Sequence, residues 1–244
     1  MFNAMLQFHF DEVESTQDEI RRNFQVFENC PDQIIMVSAD RQTSGKGREG
    51  RVWISKGECV AMSFAFILKR NNWNPATLGA VLALSADSAL TEILGESIDG
   101  IKWPNDLILK GRKIGGVLSE IVKSGDREIA VMGIGINLKI EINYLPERLI
   151  YPAGSIRDFF PNMNTTAQNV RDKIAERFNS NLHIWNSRGF AAFHGNLNCR
   201  ICLLGEDIRI GDITGQVCGV NEEGMLLLRT NDGIQKIAAG EIIQ

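Results

Sequence analysis

Residues 41–53 read RQTSGKGREGRVW, a glycine-rich, basic segment between two stretches with strand-like patterning. The glycines at 45, 47 and 50 let the backbone approach a ligand closely, and the interleaved Lys and Arg side chains suit a phosphate. From residue 41 to residue 56, five cations and one anion give a net charge of +4, although the whole chain carries −4. The spacing is not that of a Walker A loop. Taken alone, the segment fits a solvated flexible loop as well as a phosphate-binding one.

A second unusual segment, residues 102–106, reads KWPND and follows about fifty residues later. Lys102 directly precedes Trp103, and Pro104 follows at the predicted end of a strand. Such a cation can meet a nucleotide phosphate, and the oxygens of Asn105 and Asp106 are of the type that binds Mg²⁺. An ordinary β-turn with a lysine on an edge strand is the alternative interpretation.

The flanking patterns predict a mixed domain whose middle is a mostly antiparallel sheet. A first helix is predicted from Thr16, which has capping-box spacing to Glu19, with apolar residues at Ile20, Phe24 and Phe27. Two longer helices are predicted, one from Asn74-Pro75 to Gly95 and one over Thr166–Arg188. Strands are predicted at 34–37, 60–68, 101–103, 107–109, 114–122 and 129–142, the last two joined by a turn at 123–126.

The pattern changes near Cys199, where short alternating strands separated by glycines begin. This predicts a small β-barrel-like module of about 45 residues. We therefore expect two domains, 1–197 and 198–244.

Composition excludes several classes of protein. The chain has 244 residues, 44% of them hydrophobic and 23% charged, which is typical of a globular protein with a real core. A net charge of −4 argues against a nucleic-acid partner. The apolar run Val60–Leu68 is too short to cross a bilayer, and the first residues lack the basic region of a signal peptide. We expect a cytoplasmic protein without a membrane partner.

The five cysteines are an odd number, which fits reduced thiols better than a disulfide framework. Cys199 and Cys202 have the C-x-x-C spacing of a zinc site, with His194 nearby. A second such pair is absent from the sequence, so buried reduced thiols are the favoured interpretation and zinc the alternative.

Further motifs join the two unusual segments: Ser15-Thr16, GRKIGGVLSE at 111–120 and GIGIN at 133–137. Together they resemble biotin protein ligases, in the short form without an N-terminal DNA-binding domain. The resemblance runs from the first helix to about Asn137 and again over the C-terminal module through 239–242. Its signature, G-x-G-R-x-G-R-x-W followed by K-W-P-N-D, is specific because no common fold element requires both parts.

The resemblance implies an α+β fold similar to class II aminoacyl-tRNA synthetases and biotin ligases. It has a mixed, largely antiparallel sheet with helices on one side, followed by a small SH3-like β-barrel. The implied enzyme uses ATP and Mg²⁺ to convert biotin into biotinyl-5′-AMP. It then transfers biotin to a lysine of a biotin carboxyl carrier protein, of acetyl-CoA carboxylase or a related carboxylase.

Three alternative functions are weighed against this one. A lipoate or octanoate ligase or transferase would share the fold, but the glycine-loop pattern favours biotin. A DNA-binding repressor needs about sixty residues before the Ser15-Thr16 site, more than this sequence has there. A nucleotide-binding module without enzyme activity is the third alternative. Homodimerisation and carrier docking at an exposed sheet edge are both compatible with the sequence.

The resemblance also implies the site residues. Lys102 and Arg48 are the implied catalytic cations, with Lys102 at the reacting carboxyl and α-phosphate, and Asp106 is a candidate to orient the incoming amine. Biotin or adenylate contacts are implied for Ser15, Thr16, Gln17, Gln42, Gly45, Lys46, Gly47, Arg48, Lys102, Gly115, Gly116, Gly133 and Gly135. Trp53 and Asn105 are added as candidates by residue type, with core packing as the alternative for Trp53. Many relatives have Arg where this chain has Lys46, and because Lys makes no planar bidentate contact, we expect weaker ordering of the loop.

Overall fold

The structure is a computed structural model that describes residues 5–25, 29–55, 57–68, 73–140, 152–240 and 242–243. The helices are α1 (Thr16–Arg22), α2 (Leu78–Leu94), α3 (Ile156–Phe159), α4 (Ala167–Arg188) and α5 (Ala191–Arg200). The strands of the first part are β1 (Met5–Val13), β2 (Ile34–Gln42), β3 (Gly45–Lys46), β4 (Val52–Trp53), β5 (Gly57–Ile67), β6 (Gly100–Lys102), β7 (Asp106–Leu109), β8 (Arg112–Ser124) and β9 (Arg127–Ile140). Those of the second part are β10 (Asp207–Ile210), β11 (Ile213–Val220), β12 (Leu226–Thr230), β13 (Gly233–Ile237) and β14 (Ile242–Ile243).

The central sheet has, within the described residues, seven strands in the order β1-β2-β5-β9-β8-β7-β6. Strands β1 and β2 are parallel, whereas the other neighbours are antiparallel. The prediction of a mixed, largely antiparallel sheet is therefore confirmed. Strand β1 was not predicted, because its sequence MLQFHFDEV alternates only weakly and it lies at the sheet edge, where little of it is buried.

Helices cover both faces of this sheet. Ile34 and Met36 of β2 point into the core shared with α2 and α4. Ile35 and Val37 point the other way and pack with Ile20 of α1. The expectation of helices on one side is thus wrong for α1. The physical reason is that α1 is the crossover between parallel strands β1 and β2, and the face it covers is fixed by that connection.

The two long helices begin and end as their sequences predict. Before α2, the Asn74 side chain accepts the Ala76 N–H at 3.1 Å, and the helix ends at Gly95 with φ +72°. Before α4, Thr166 accepts the Asn169 N–H at 3.2 Å. By length and composition the segment Pro75–Leu94 could also cross a membrane, but 67% of it is buried inside the protein, so its core position explains its apolar character.

The first predicted helix is shorter than its pattern indicated. Helix α1 ends at Arg22, Phe24 lies in the turn that follows, and Phe27 lies outside the described residues, as do 141 and 142 at the end of the predicted last strand. The predicted capping box is wrong, because Ser15 is the residue that precedes the helix and its side chain makes no capping hydrogen bond.

The C-terminal part is a second sheet. Strands β10–β13 are antiparallel to their neighbours, and the two-residue β14 pairs with β10. Helix α5, which was not predicted, spans the boundary expected between residues 197 and 198. Its last residue, Arg200, donates to both carboxylate oxygens of Asp87 in α2 at 2.8 and 2.7 Å and to the Ile98 carbonyl. This partly buried ion pair attaches the residues before the second sheet to the first domain.

Candidate functional site

A cavity of about 530 Å³ lies where the β3–β4 hairpin crosses the sheet, between the start of α1 and the turn after β6. Most of the predicted site residues line it: Ser15, Thr16, Gln17, Gln42, Lys46, Gly47, Arg48, Trp53, Lys102, Asn105, Gly116, Gly133 and Gly135, together with Asp106. Gly45 and Gly115 do not line it. A Cβ at Gly45 would lie 2.5 Å from the Trp53 carbonyl oxygen, and one at Gly115 would lie 2.8 Å from the Gly135 carbonyl oxygen. These two glycines therefore permit neighbouring backbone to pack closely, without lining the cavity themselves.

One end of the cavity is built on the start of α1. The Gln42 Oε1 accepts both the backbone N–H and the hydroxyl of Thr16, at 2.9 and 3.1 Å. Gln42 thereby satisfies a helix N–H that the predicted capping box would have served. The Thr16 hydroxyl also lies 2.7 Å from the Ser63 hydroxyl. Since Thr16 gives its proton to Gln42, Ser63 donates in this pair.

Ser63 was not predicted as a site residue. It lies on β5 within the apolar run VAMSFAF and is fully buried. A hydroxyl that interrupts an apolar strand is a weak signal in sequence, because many such residues hydrogen-bond to their own backbone. Here its partner is the Thr16 side chain, which places Ser63 in the cavity wall.

Gln17 presents an unused acceptor at the same end. Its Nε2 donates to the Leu118 carbonyl at 2.9 Å. Its Oε1 is buried and, within the part of the chain that the structure describes, has no hydrogen-bond partner. Buried polar atoms are nearly always paired, so this oxygen fits a ligand N–H.

The floor of the cavity consists of glycines on β9. A Cβ at Gly133 would come within 3.1 Å of Gln17 Nε2. A Cβ at Gly135 would lie 2.4 Å from the Trp53 ring, so the indole rests directly on the strand backbone. The Trp53 Nε1 is buried without a partner among the described residues. Trp53 therefore closes the cavity from the hairpin side, in contact with a floor that only glycine permits.

The opposite end of the cavity is cationic. Arg48 Nη1 donates to Asn105 Oδ1 at 3.3 Å, and Asn105 Nδ2 donates to the Val117 carbonyl at 2.6 Å. The Lys113 ammonium lies 2.6 Å from Asp106 Oδ1 and belongs to the cavity lining. Lys113 was missed from the sequence, although it lies within the GRKIGG motif. The available signal was a cation three residues before Gly116, which lines the cavity.

The structure directs Lys102 towards the C-terminal part. Its side chain is buried, and its Nζ donates to the Ile242 carbonyl at 3.5 Å. The next residue, Trp103, donates its Nε1–H to the Gly224 carbonyl at 3.1 Å. Gly240 and Ile242 themselves line the cavity. The KWPND turn thus connects the second sheet to the cavity.

The predicted magnesium ligands are engaged with cations. Asp106 Oδ1 holds the Lys113 ammonium, and Asn105 Oδ1 accepts from Arg48. A Mg²⁺ ion there would have to displace both cations, so this donor set does not fit a preformed metal site. Nor do the described residues contain any group of three His, Cys, Asp or Glu side chains that could hold a metal ion.

The Cys199 thiol is exposed and the Cys202 thiol is partly buried. Burial raises the pKa of Cys202 to about 11, which disfavours the thiolate that metal binding requires.

Comparison with known proteins identifies the class that this fold and site define. The chain belongs to the biotin/lipoate A/B protein ligase family, whose model matches residues 10–137. Residues 196–243 match the biotin protein ligase C terminal domain.

Two curated relatives and one solved structure are similar to this chain over most of its length. The bifunctional ligase/repressor BirA of Bacillus subtilis is 30% identical over 94% of this chain and 70% of its own length. The biotin–[acetyl-CoA-carboxylase] ligase of Paracoccus denitrificans is 31% identical over 84% of this chain and 88% of its own. The biotin protein ligase of Aquifex aeolicus, solved with biotin and ATP, superposes with a TM-score of 0.77 at 30% identity and covers 97% of each chain.

Proposed function

We propose that the protein adenylates biotin with ATP and transfers the biotinyl group to a lysine of a biotin carboxyl carrier protein, of acetyl-CoA carboxylase or a related carboxylase. The observation that carries this proposal is the cavity itself. It has an uncharged end with an unpaired amide acceptor at Gln17, a cationic end at Arg48 and Lys113, and a hairpin over both.

At the uncharged end, Gln17 Oε1 accepts a ureido N–H of biotin, and the Thr16–Ser63 hydroxyl pair lies beside the bicyclic ring. Gly133 leaves the space that the ring needs. Trp53 covers the apolar part of the ligand from the hairpin. Relatives named as biotin ligases favour biotin over lipoate as the ligand at this end.

At the cationic end, the biotin carboxylate attacks the α-phosphate of ATP and pyrophosphate leaves. The protein's contribution is to stabilise the negative charge that develops on the phosphate. We assign this to Arg48 and Lys113, whose side chains line this end, and to Lys102, as the family resemblance implies. Mg²⁺ enters as the complex with ATP, so no step depends on a protein-bound ion.

In the second step, the amine of the carrier lysine attacks the mixed anhydride and AMP leaves. Asp106, 17% exposed in its side chain, is placed to orient the incoming amine once Lys113 engages the phosphate. The hairpin excludes water, because hydrolysis of the adenylate competes with aminolysis.

The remaining expectations are also proposals. The second sheet, with its antiparallel order β13-β12-β11-β10, is consistent with an SH3-like barrel. Domains 1–197 and 198–244 would then share α5 as their connection. We further propose a cytoplasmic location and interaction through the exposed edge of β1, with a carrier or a second copy.

The deciding experiment is incubation with biotin, MgATP and a carrier domain, followed by intact mass measurement. We expect the mass of the carrier to increase by one biotin on its lysine. When lipoate replaces biotin in the reaction, we expect no lipoate on the carrier. Equal transfer of lipoate would contradict the ligand assignment. ATP binding by calorimetry without biotin dependence and without transfer would instead indicate a nucleotide-binding module.

The cations are separated by three variants, Arg48→Met, Lys102→Met and Lys113→Met. Lys110→Met, at an exposed lysine paired with Glu96 on a distant turn, is the matched control. Biotin-dependent ATP–pyrophosphate exchange measures the first step, and transfer to the carrier measures the second. Normal exchange in all three variants would disprove the assignments. Loss of exchange in Lys113→Met with exchange retained in Lys102→Met would remove Lys102 from the phosphate role.

A further inference from the structure

The β3–β4 hairpin is attached to the molecule mainly at its base and by side chains. Its two strands pair with each other and, among the described residues, with no strand of the central sheet. At the base, the Thr43 and Ser44 N–H groups donate to the carbonyls of Val13 and Glu14, at 3.0 and 2.8 Å. The outer part of the hairpin can therefore move about this base, and its position depends on the side chains that cross the cavity.

Side chains reach both rims of the cavity. On one rim, Arg48 donates to Asn105 Oδ1 at 3.3 Å. On the other, the Lys46 ammonium lies 2.6 Å from Asp18 Oδ1 in the first turn of α1. The second contact joins two full charges.

Asp18 is itself fixed by a neighbouring pair. Arg21 donates to Asp18 at 2.7 Å and pairs through its other nitrogen with Glu120 on β8. The Asp18 side chain is 24% exposed and the Lys46 side chain 45%. Burial raises the pKa of Asp18, but the hydrogen bonds from Lys46 and Arg21 outweigh it, so the pKa lies below its ordinary value. The carboxylate is thus charged and preoriented at neutral pH.

We propose that Asp18 is a positioning residue that holds the glycine-rich hairpin against α1 through Lys46, and so limits escape of the biotinyl-adenylate. The role in retaining the adenylate rests on the proposed function. The contact between Lys46 and Asp18 is independent of that function. It also accounts for how lysine serves at position 46, since a single point charge is sufficient to meet one carboxylate oxygen.

The first test needs no ligand. Trypsin cleaves after the exposed Arg51 and after Arg48 only when the hairpin is displaced, and mass spectrometry identifies the fragments. We expect Asp18→Asn to be cleaved there about 1.5- to fivefold faster than the wild type, the range for a partly exposed ion pair. Glu19→Gln, which removes the same charge one residue further along α1, should be cleaved at the wild-type rate.

The pair is tested by a double-mutant cycle. If Asp18 acts through Lys46, Asp18→Asn should add nothing to the cleavage rate in a Lys46→Gln background. Added salt should accelerate cleavage of the wild type but not of Asp18→Asn, because screening weakens only the intact pair. Additive effects, or equal rates in Asp18→Asn and Glu19→Gln, would overturn the proposal.

The second test measures retention of the adenylate. With biotin and MgATP but no carrier, we expect Asp18→Asn to release about 1.5- to fivefold more free biotinyl-adenylate per unit time. Biotin-dependent ATP–pyrophosphate exchange should remain measurable. Absence of exchange in the wild type would contradict the proposed function and leave the cleavage result standing. Unchanged release in Asp18→Asn beside faster cleavage would refute the role in retention.

Discussion

The neighbouring glycines Gly135 and Gly115 predict opposite consequences for the same substitution. A Cβ at Gly135 points into the cavity and would lie 2.4 Å from the Trp53 ring. A Cβ at Gly115 points away from it and would lie 2.8 Å from the Gly135 carbonyl oxygen, with Ile136 and Leu107 each at 3.2 Å. Carbon atoms pack at about 3.5–4.0 Å, so the ring must retreat by roughly 1 Å or more in Gly135→Ala.

The size of each effect depends on which part of the structure can move to relieve the clash. Overpacking costs about 1–3 kcal/mol. In Gly135→Ala, the hairpin that carries Trp53 can move instead of the sheet. The overpacking then opposes the position of the hairpin over the ligand rather than the folding of the sheet. Biotin affinity should therefore fall about 5- to 140-fold, while the free energy of unfolding changes little. In Gly115→Ala the backbone of two central strands must move, so we expect about 1–3 kcal/mol of lost stability with nearly unchanged biotin affinity per folded molecule.

Titration calorimetry with biotin and urea unfolding of both variants measure the two quantities side by side. The reasoning would be refuted if Gly135→Ala lost stability like Gly115→Ala and kept its biotin affinity, because the Trp53 contact would then not govern closure.

Three further predictions concern the rest of the molecule. Iodoacetamide at pH 8 should modify Cys199 well before Cys202 by peptide mapping. A pKa raised from 9.0 to about 11 lowers the Cys202 thiolate about 100-fold, and raising the pH towards 11 should restore its reactivity. Gln42→Leu should lose about 1–2 kcal/mol in urea unfolding, because the Thr16 N–H and hydroxyl lose their acceptor. Gly95→Ala should lose about 1–2 kcal/mol because of its φ of +72°, with biotin binding unchanged; full stability there would contradict the left-handed helix end.

Local signals predicted most of the fold. Helices α2 and α4 carry their capping residues and glycine stops in the sequence, and β8 and β9 carry a turn signal between two long apolar runs. Strand β1 and helix α5, which were missed, lack such signals, whereas the short helix α3 was missed although Ser155 and Asp158 have capping-box spacing at its start. Strand β1 is a sparsely buried edge, and α5 combines Gly195 with several polar residues. Its position depends on the ion pair between Arg200 and Asp87, which lie 113 residues apart.

The sequence motifs mark several backbone positions of the cavity wall, but they do not show which partner a side chain contacts. The glycines at 133 and 135 are required by close approach, which a motif records directly. Lys102 and Lys113 are both cations next to glycine or turn residues, so composition does not separate them. The register of β7 against β8 distinguishes the two lysines, because it places Lys113 beside Asp106. Lys102 instead reaches a C-terminal carbonyl that no local pattern could connect to it.

The +4 charge of the glycine-rich segment overstates what it offers a phosphate. Arg41 pairs with Glu12, Lys46 with Asp18 and Arg51 with Glu49, at 2.9, 2.6 and 3.4 Å. The first two pairs compensate a positive charge and attach the segment to β1 and α1, whereas the third joins two residues of the segment itself. Arg48 differs because the side chain it contacts, Asn105, is neutral, so its charge is not cancelled by that contact. Arg41 and Lys46 therefore anchor the segment, which supports our assignment of Arg48 as the hairpin cation for the phosphate.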